Sequence, residues 1–239
     1  MIRRKDPARK HSDVGMKPGL DGKAAIQETR LLVYSSRLIG GLLTLGFVNV
    51  LLIVAAARMA SFPTDLFLAR ALQSLAFLPL SWASWITATA DKPWCFALLV
   101  LVVVAAWLLC GWRAALVAVP VFFGLWLFGI WLSPLIAQPR PSPELIRVVG
   151  HPKGYAFPSI FGLVYVATFG YLGLLARTQC RGALRVLIPL VAVLALLIGA
   201  DARIVLGAHW PSDLWVAYLI GLLWIFALLP FSRRESGQG

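Results

Sequence analysis

Charged residues are scarce in this sequence. Only 13% of its 239 residues are Asp, Glu, Lys or Arg, whereas 60% are hydrophobic. A soluble domain is normally about half apolar and about a quarter charged. The composition therefore excludes an ordinary soluble domain and predicts an integral membrane protein with one membrane domain.

Histidine and cysteine are also rare, with three of each. The cysteines (Cys95, Cys110 and Cys180) lie in or beside apolar runs at unrelated spacings, which indicates neither a disulfide framework nor a metal site. One histidine, His11, lies in the N-terminal tail. We therefore expect no metal ion and no cofactor.

Acidic residues are outnumbered by basic ones, and the formal net charge is +12. Most of the basic excess lies in the N-terminal tail and in short loops. That distribution is typical of membrane topology and contact with lipid headgroups, so we expect the bilayer and not a nucleic acid as partner. The oligomeric state stays open.

The hydrophobic pattern predicts an all-α polytopic membrane protein. Residues 1–36 form a basic cytoplasmic tail, disordered or loosely helical, and residues 233–239 form a short cytoplasmic C-terminal tail. Residues 37–232 form the membrane domain. Six apolar runs have spanning length: 38–57, 94–111, 114–132, 158–176, 183–200 and 214–231. Residues 58–92 predict an amphipathic helix at the membrane surface, with a short re-entrant segment as the alternative.

The distribution of Lys and Arg predicts the topology. With the N-terminal tail inside, about two thirds of the 22 Lys and Arg residues fall on the cytoplasmic side. Both termini are then cytoplasmic, and residues 133–157 and 201–213 lie together on the outer face.

The stretch RIVLGAHWPSD, residues 203–213, carries a cation, an imidazole and a carboxylate between two apolar runs. Charged groups beside a bilayer are costly and are usually functional. His209 and Asp213 are four residues apart, so the carboxylate can orient the ring. An oriented imidazole beside the Arg203 guanidinium suits attack on phosphorus, with the arginine holding the phosphate oxygens. The alternative is a polar cap where a membrane helix leaves the lipid.

Two earlier stretches complete a possible phosphate site. In QPRPSPEL, Arg140 lies between prolines that restrict the backbone. In GYAFPSIFG, Pro158 fits a first helical turn and Ser159 follows it at a position that favours an anion. Taken alone, Arg140 could be a headgroup anchor and Ser159 a helix cap. Converging on one face, the three stretches predict recognition of phosphate.

These stretches, in this order, resemble the motifs of the type-2 phosphatidic acid phosphatase superfamily, which includes membrane lipid phosphatases and vanadium haloperoxidases. The family pattern is K-x6-R-P, P-S-G-H and S-R-x5-H-x3-D. The resemblance covers residues 37–231, and GAHWPSD looks like bacterial members that act on lipid phosphates at the outer face of the inner membrane. It implies that His209 is the nucleophile, that Asp213 orients it, and that Arg140, Ser159 and Arg203 bind phosphate.

The chain departs from the family pattern at four positions. Ser133 stands in place of the lysine, Ile160 and Phe161 in place of Gly-His, and Ala202 in place of a serine. The missing histidine is the family's general acid, which protonates the departing alcohol. We regard His151 and Lys153, in the loop before the second motif, as possible substitutes.

Two functions follow from these departures. The first is a metal-independent lipid phosphatase working through a phosphohistidine, with remaining turnover favouring a lipid diphosphate such as a polyprenyl diphosphate over a phosphate monoester. The second is a catalytically inactive relative that binds lipid phosphate headgroups. A transporter has little support, because no repeat and no mid-membrane ionisable pair are visible.

Overall fold

The computed structural model describes residues 18–76 and 79–233, with side chains from Ser36 onward apart from Arg37, and these residues are all helix, turn or loop without a strand. The helices are α1 (Pro18–Ala56), α2 (Asp65–Leu75), α3 (Ser81–Ala88), α4 (Trp94–Cys110), α5 (Trp112–Ile136), α6 (Ile160–Tyr165), α7 (Tyr171–Gln179), α8 (Leu184–Val205) and α9 (Pro211–Leu228). A π-helical turn, Val166–Gly170, joins α6 to α7, and the 3₁₀ turn Leu229–Ser232 follows α9.

Five segments are long and apolar enough to cross a membrane: Leu38–Ala56, Trp112–Ile136, Ile160–Gln179, Leu184–Val205 and Pro211–Ser232. A shorter apolar helix, Trp94–Cys110, packs along α5. These six segments match the six predicted runs, with ends that differ by a few residues. The predicted all-α membrane fold is confirmed.

The segment Ile160–Gln179 lies at the centre of the membrane domain. In its most hydrophobic stretch of 18 residues, 72% of the residues are buried. The same fraction is 44% for Pro211–Ser232 and 17% for Leu184–Val205. Close approach of the neighbouring helix α8 depends on Gly199, because a Cβ there would meet the Tyr165 ring at 2.7 Å. The central helix therefore begins, at Ile160, in the middle of one end of the bundle.

Residues 58–92 form two helices, α2 and α3, where the sequence predicted one amphipathic helix. The polar residues of α2 bond to other parts of the chain. The Asp65 carboxylate accepts hydrogen bonds from the Ser212 N–H at 2.9 Å and the Ser212 hydroxyl at 2.7 Å. The Gln73 side chain donates to the Arg147 carbonyl at 2.8 Å and accepts from the Arg147 N–H at 3.1 Å. The location of this segment at the membrane surface stays a prediction.

The predicted tails are only partly covered by the described residues. Residues 1–17 and 234–239 lie outside them, and from Pro18 the backbone is already helical as part of α1. The chain divides within α1 into two compact units, Met1–Gly41 and Leu42–Gly239. Everything described below belongs to the second unit.

Candidate active site

The three motif stretches meet at one end of the second unit. The Ala156 N–H donates to the Gln138 carbonyl at 2.9 Å, and the Val149 N–H donates to the Leu206 carbonyl at 2.9 Å. These backbone bonds join the loop after α5, the segment before α6 and the turn between α8 and α9. Residues 133–157 and 201–213 therefore lie together, and their location on the outer face stays a prediction.

His209 lies in the turn between α8 and α9. Gly207 begins this turn with a φ of +68°, and a Cβ at this position would collide with the Arg147 carbonyl. Only glycine fits such a left-handed position pressed against backbone. The turn carries the imidazole inward, and His209 is only 2% exposed.

The hydrogen bonds of His209 define which nitrogen carries the proton. Nδ1 lies 2.8 Å from the Ala156 carbonyl oxygen, which can only accept. Nε2 lies 3.3 Å from Nη1 of Arg140, which can only donate. Both contacts assign the proton to Nδ1 and leave the lone pair of Nε2 facing Arg140. Such a lone pair is what a nucleophile needs.

Burial lowers the pKa of His209 well below its ordinary value, and the nearby Arg203 and Arg140 charges lower it further. The hydrogen bond to Ala156 acts in the opposite direction. The imidazole is therefore neutral at neutral pH, and its nucleophilic form is the resting form.

Asp213 lies in the first turn of α9 and is fully buried. Its Oδ2 accepts from the Trp210 N–H at 2.8 Å and lies 3.4 Å from Nδ1 of His209. The Ala156 carbonyl is the nearer partner of the ring, so ring orientation rests on Ala156 first and on Asp213 second. Sequence reasoning missed Ala156 because every residue has a carbonyl and nothing in the sequence marks this one.

Arg140 is held by backbone carbonyls of two other segments. Nε and Nη2 donate to the Lys153 carbonyl at 3.2 and 2.9 Å, and Nε also lies 3.2 Å from the Gly154 carbonyl. Nη1 donates to the Ala208 carbonyl. Burial lowers the pKa of Arg140, and the Asp213 carboxylate opposes this. A guanidinium remains charged in proteins even so, and here it is fixed beside the His209 Nε2.

Arg203, near the C-terminal end of α8, supplies a second cation. Its guanidinium carbon lies 5.4 Å from the centre of the Phe161 ring, a cation–π arrangement. The Phe161 ring stacks on Tyr165 with centroids 4.1 Å apart, and the Tyr165 hydroxyl lies 2.7 Å from the Thr89 hydroxyl. Among the described residues, the buried Arg203 Nε has no hydrogen-bond partner. Arg203 is thus oriented by an aromatic ring and keeps donor capacity.

These side chains surround a cavity of about 400 Å³. Its charged and polar lining consists of Asp91, Arg140, Lys153, Tyr155, Arg203 and His209. Sequence reasoning missed Asp91 and Tyr155, because a single carboxylate or phenol in a loop carries no spacing signal. Three cations against the single carboxylate of Asp91 leave the cavity net positive, which suits a phosphate group.

Comparison with known proteins gives a family match for part of the chain. Residues 134–236 match the family model of the PAP2 superfamily. The match supports the resemblance that the three motif stretches indicate. The fold resembles the crystal structure of a transmembrane PAP2-type phosphatidylglycerolphosphate phosphatase from Bacillus subtilis, with a TM-score of 0.63 and 17% identity over 80% of this chain and 94% of that one. A search of curated proteins gave no match.

Ser159 of the second PAP2 motif is placed as a helix cap. Its hydroxyl oxygen accepts from the Gly162 N–H at 3.2 Å at the N-terminus of α6, and the side chain is fully buried. Ser159 is not among the residues that line the cavity. Its predicted role in phosphate binding stays a prediction.

The substituted PAP2 positions have structural roles of their own. Phe161, at the position of the family histidine, is part of the aromatic stack under Arg203. Ser133, at the position of the family lysine, is buried within α5, and its carbonyl accepts from the Ala137 N–H that ends the helix. Neither side chain can transfer a proton or bind phosphate as the family residues do.

The two predicted substitutes differ in position. Lys153 lines the cavity, whereas His151 is exposed and is not among the lining residues. Lys153 is thus the third cation of the cavity, beside Arg140 and Arg203. His151 would have to move to reach a bound phosphate.

Proposed function

We propose that this protein is a membrane lipid phosphatase in which Nε2 of His209 accepts the phosphoryl group. The supporting observation is the neutral imidazole, fixed through Nδ1 by Ala156, with Nε2 beside the Arg140 guanidinium at 3.3 Å. The PAP2 match and the fold shared with a lipid phosphate phosphatase support the same activity.

The reaction divides into two displacements. In the first, the Nε2 lone pair forms a bond to the terminal phosphorus of the lipid diphosphate, while the bond from that phosphorus to the bridging oxygen breaks and the lipid monophosphate leaves. In the second, water attacks phosphorus, the N–P bond breaks, and inorganic phosphate leaves with the proton that the water loses. Arg140 and Arg203 stabilise the charge on the phosphate oxygens in both steps. The hydrogen bond from Nδ1–H to the Ala156 carbonyl keeps the ring in one tautomer in both steps.

The absence of a proton donor at position 161 restricts the substrate. A positioned general acid typically contributes about 100- to 10,000-fold in rate. An alkoxide leaving group needs that proton, whereas a phosphate leaving group is a much weaker base. We therefore propose a lipid diphosphate, such as a polyprenyl diphosphate, as the better substrate.

The site is proposed to work at the outer face of a bacterial inner membrane, with both termini in the cytoplasm. The charge distribution of the loops supports this orientation. The lipid phosphate then enters from the outer leaflet.

The test is phosphate release by the purified protein in detergent, with a lipid diphosphate and a lipid monophosphate as substrates. We expect release that is lost in His209→Ala, with a higher rate on the diphosphate. Release that persists in His209→Ala would exclude the phosphohistidine mechanism. The leaving-group argument would be excluded if this protein were slower than a relative with the family histidine and lysine by the same factor on both substrates.

The second candidate function is a headgroup-binding protein without turnover, and the Phe161 stack under Arg203 favours it. Phe161→His separates the two functions by returning a proton donor to the cavity wall. A phosphatase limited by its missing acid should gain about 100-fold on the monophosphate, by the usual contribution of such an acid. Phe161→Leu is the matched control, since it removes the stack without adding a proton donor. Binding of lipid phosphate without release in any variant would support the second function.

A further inference from the structure

An apolar groove lies beside the phosphate cavity, between the end of α3 and the first half of α4. We call it the α3–α4 groove, and it is bounded by Trp85, Thr89, Trp94, Leu98 and Leu101. Its volume is about 380 Å³, within the usual range of roughly 300–1,000 Å³ for small-molecule sites. Trp85 and Trp94 are 76% and 62% exposed, so the groove opens on the surface of the helix bundle.

The groove and the cavity share a wall. Ala88 and Thr89 line the groove, and the next two residues, Ala90 and Asp91, line the cavity. The Thr89 hydroxyl lies 2.7 Å from that of Tyr165, whose ring stacks on Phe161 of the cavity. A molecule with a phosphate in the cavity thus has an apolar surface directly across residues 88–91.

We propose that the α3–α4 groove binds the alkyl chain of the lipid whose phosphate lies between Arg140 and Arg203. This inference rests on the proposed function and adds a site for the apolar part of the substrate. The occupant is a single hydrocarbon chain, because the lining is apolar and residues 88–91 place it next to the cationic cavity that is proposed to bind the phosphate.

The physical advantage of this site is packing and tethering. A chain that leaves the bilayer is already in an apolar medium, so little is gained from dehydration. The gain comes from dispersion contacts with the tryptophan rings and aliphatic side chains, and from the phosphate, which holds the chain at high effective concentration. Neutral lipids lack that tether and bind the groove no better than other lipid-facing surfaces.

The first test fills the groove. Ala97 lines it, and Ala97→Trp places an indole where the chain would lie. Val100→Trp is the matched control, because Val100 is 63% exposed on the same helix but does not line the groove. The measured quantity is the Kd for dodecyl phosphate and for butyl phosphate in detergent micelles.

We expect Ala97→Trp to raise the Kd for dodecyl phosphate about tenfold and to leave that for butyl phosphate within about twofold. Val100→Trp should change neither. An unchanged Kd for dodecyl phosphate in Ala97→Trp would overturn the assignment of the groove as the chain-binding site, without affecting the proposed phosphate site. If neither alkyl phosphate binds the native protein more tightly than it binds Arg140→Ala, the proposed function fails and the groove assignment fails with it.

The second test maps the chain without altering the protein. Dodecyl phosphate carrying a diazirine at the chain end is photolysed with the native protein, and the modified residues are identified by mass spectrometry. We expect labelling concentrated on Trp85, Trp94, Leu98 and Leu101. Dodecanol with the same diazirine is the control and should label lipid-facing residues broadly. Identical patterns from the two probes would overturn the proposal.

Discussion

At the scale of single residues, the site combines the proposed nucleophile, His209, with two arginines and has a phenylalanine at position 161, where a proton donor is expected from the resemblance. His209 is fixed by a carbonyl at 2.8 Å, and Arg140 by carbonyls of two segments. Arg203 is held by the Phe161 ring. Position 161 is therefore not an empty space, because its aromatic ring supports the second cation.

The protonation of His209 is directly measurable. Because burial and two arginines lower its pKa, we expect a neutral ring, protonated at Nδ1, well below the ordinary pKa of about 6.5. The unfolded chain takes up the proton first, so the stability that depends on this residue is present above about pH 6.5 and falls as the pH drops below it. The measurement is the ¹⁵N imidazole spectrum across pH.

The variant for that experiment carries His11→Ala and His151→Ala, so that His209 is its only histidine. The protein is purified without a histidine tag. A ring that titrates near its ordinary pKa, or that carries its neutral proton on Nε2, would contradict the assigned nucleophile. Free histidine in the same detergent is the control.

At the scale of helices, α2 connects regions of the chain that no sequence pattern links. Asp65 is 1% exposed and accepts from the backbone and hydroxyl of Ser212 and from the Phe62 N–H at 2.7 Å. Gln73 bonds to Arg147 in the loop that reaches the site. The helix therefore fixes the first turn of α9, which carries Asp213, and the loop against which Gly207 packs.

Substitution of Asp65 tests this connection. Asp65→Ala removes the buried acceptor of three hydrogen bonds, and we expect the free energy of unfolding to fall by about 3 kcal/mol. The measurement is the thermal unfolding midpoint in detergent. Ser74→Ala is the control, because Ser74 lies on the same helix, is exposed and bonds only to the nearby Ala71 carbonyl in the described structure. Equal midpoints for both variants would show that Asp65 does not hold the helices together.

At the scale of the whole molecule, the functional groups gather at one end of the helix bundle. The opposite end contains the turn between α7 and α8, where the Gln179 amide donates to the Ser232 hydroxyl at 2.6 Å. The short turn between α4 and α5 lies at that end as well, because the Tyr171 hydroxyl donates to the Ala114 carbonyl. The basic loops after α4 and α7 therefore lie away from the cavity, as the predicted topology requires.

The predicted topology is tested by labelling single cysteines with a membrane-impermeant thiol reagent in intact cells, in a background where the three native cysteines are replaced. We expect His151→Cys to be labelled from outside and Arg181→Cys only after the membrane is permeabilised. Both positions are exposed, which makes them a matched pair. The reverse pattern would place the site in the cytoplasm.

The helices and the R-x5-H-x3-D motif could be predicted from the sequence alone. Spanning length and apolar composition are local properties, so the six runs could be read along the chain. The R-x5-H-x3-D spacing placed Arg203, His209 and Asp213 at one helix junction, because residues so close in sequence cannot separate far in space. Arg140 was added from a distant stretch by its position between two prolines, and the resemblance to the family pattern gave it the same role.

The contacts that hold those groups could not be predicted, because they join distant parts of the chain. Ala156 became the partner of His209 because an extended segment before α6 passes the turn after α8, and such an encounter leaves no mark in composition or spacing. The sequence predicted an amphipathic surface helix in this segment. Asp65 of α2 is nevertheless buried, because it accepts a hydrogen bond from Ser212 in a distant part of the chain. The role of Phe161 could not be predicted either, because it depends on contacts with Arg203 and Tyr165 that exist only after folding.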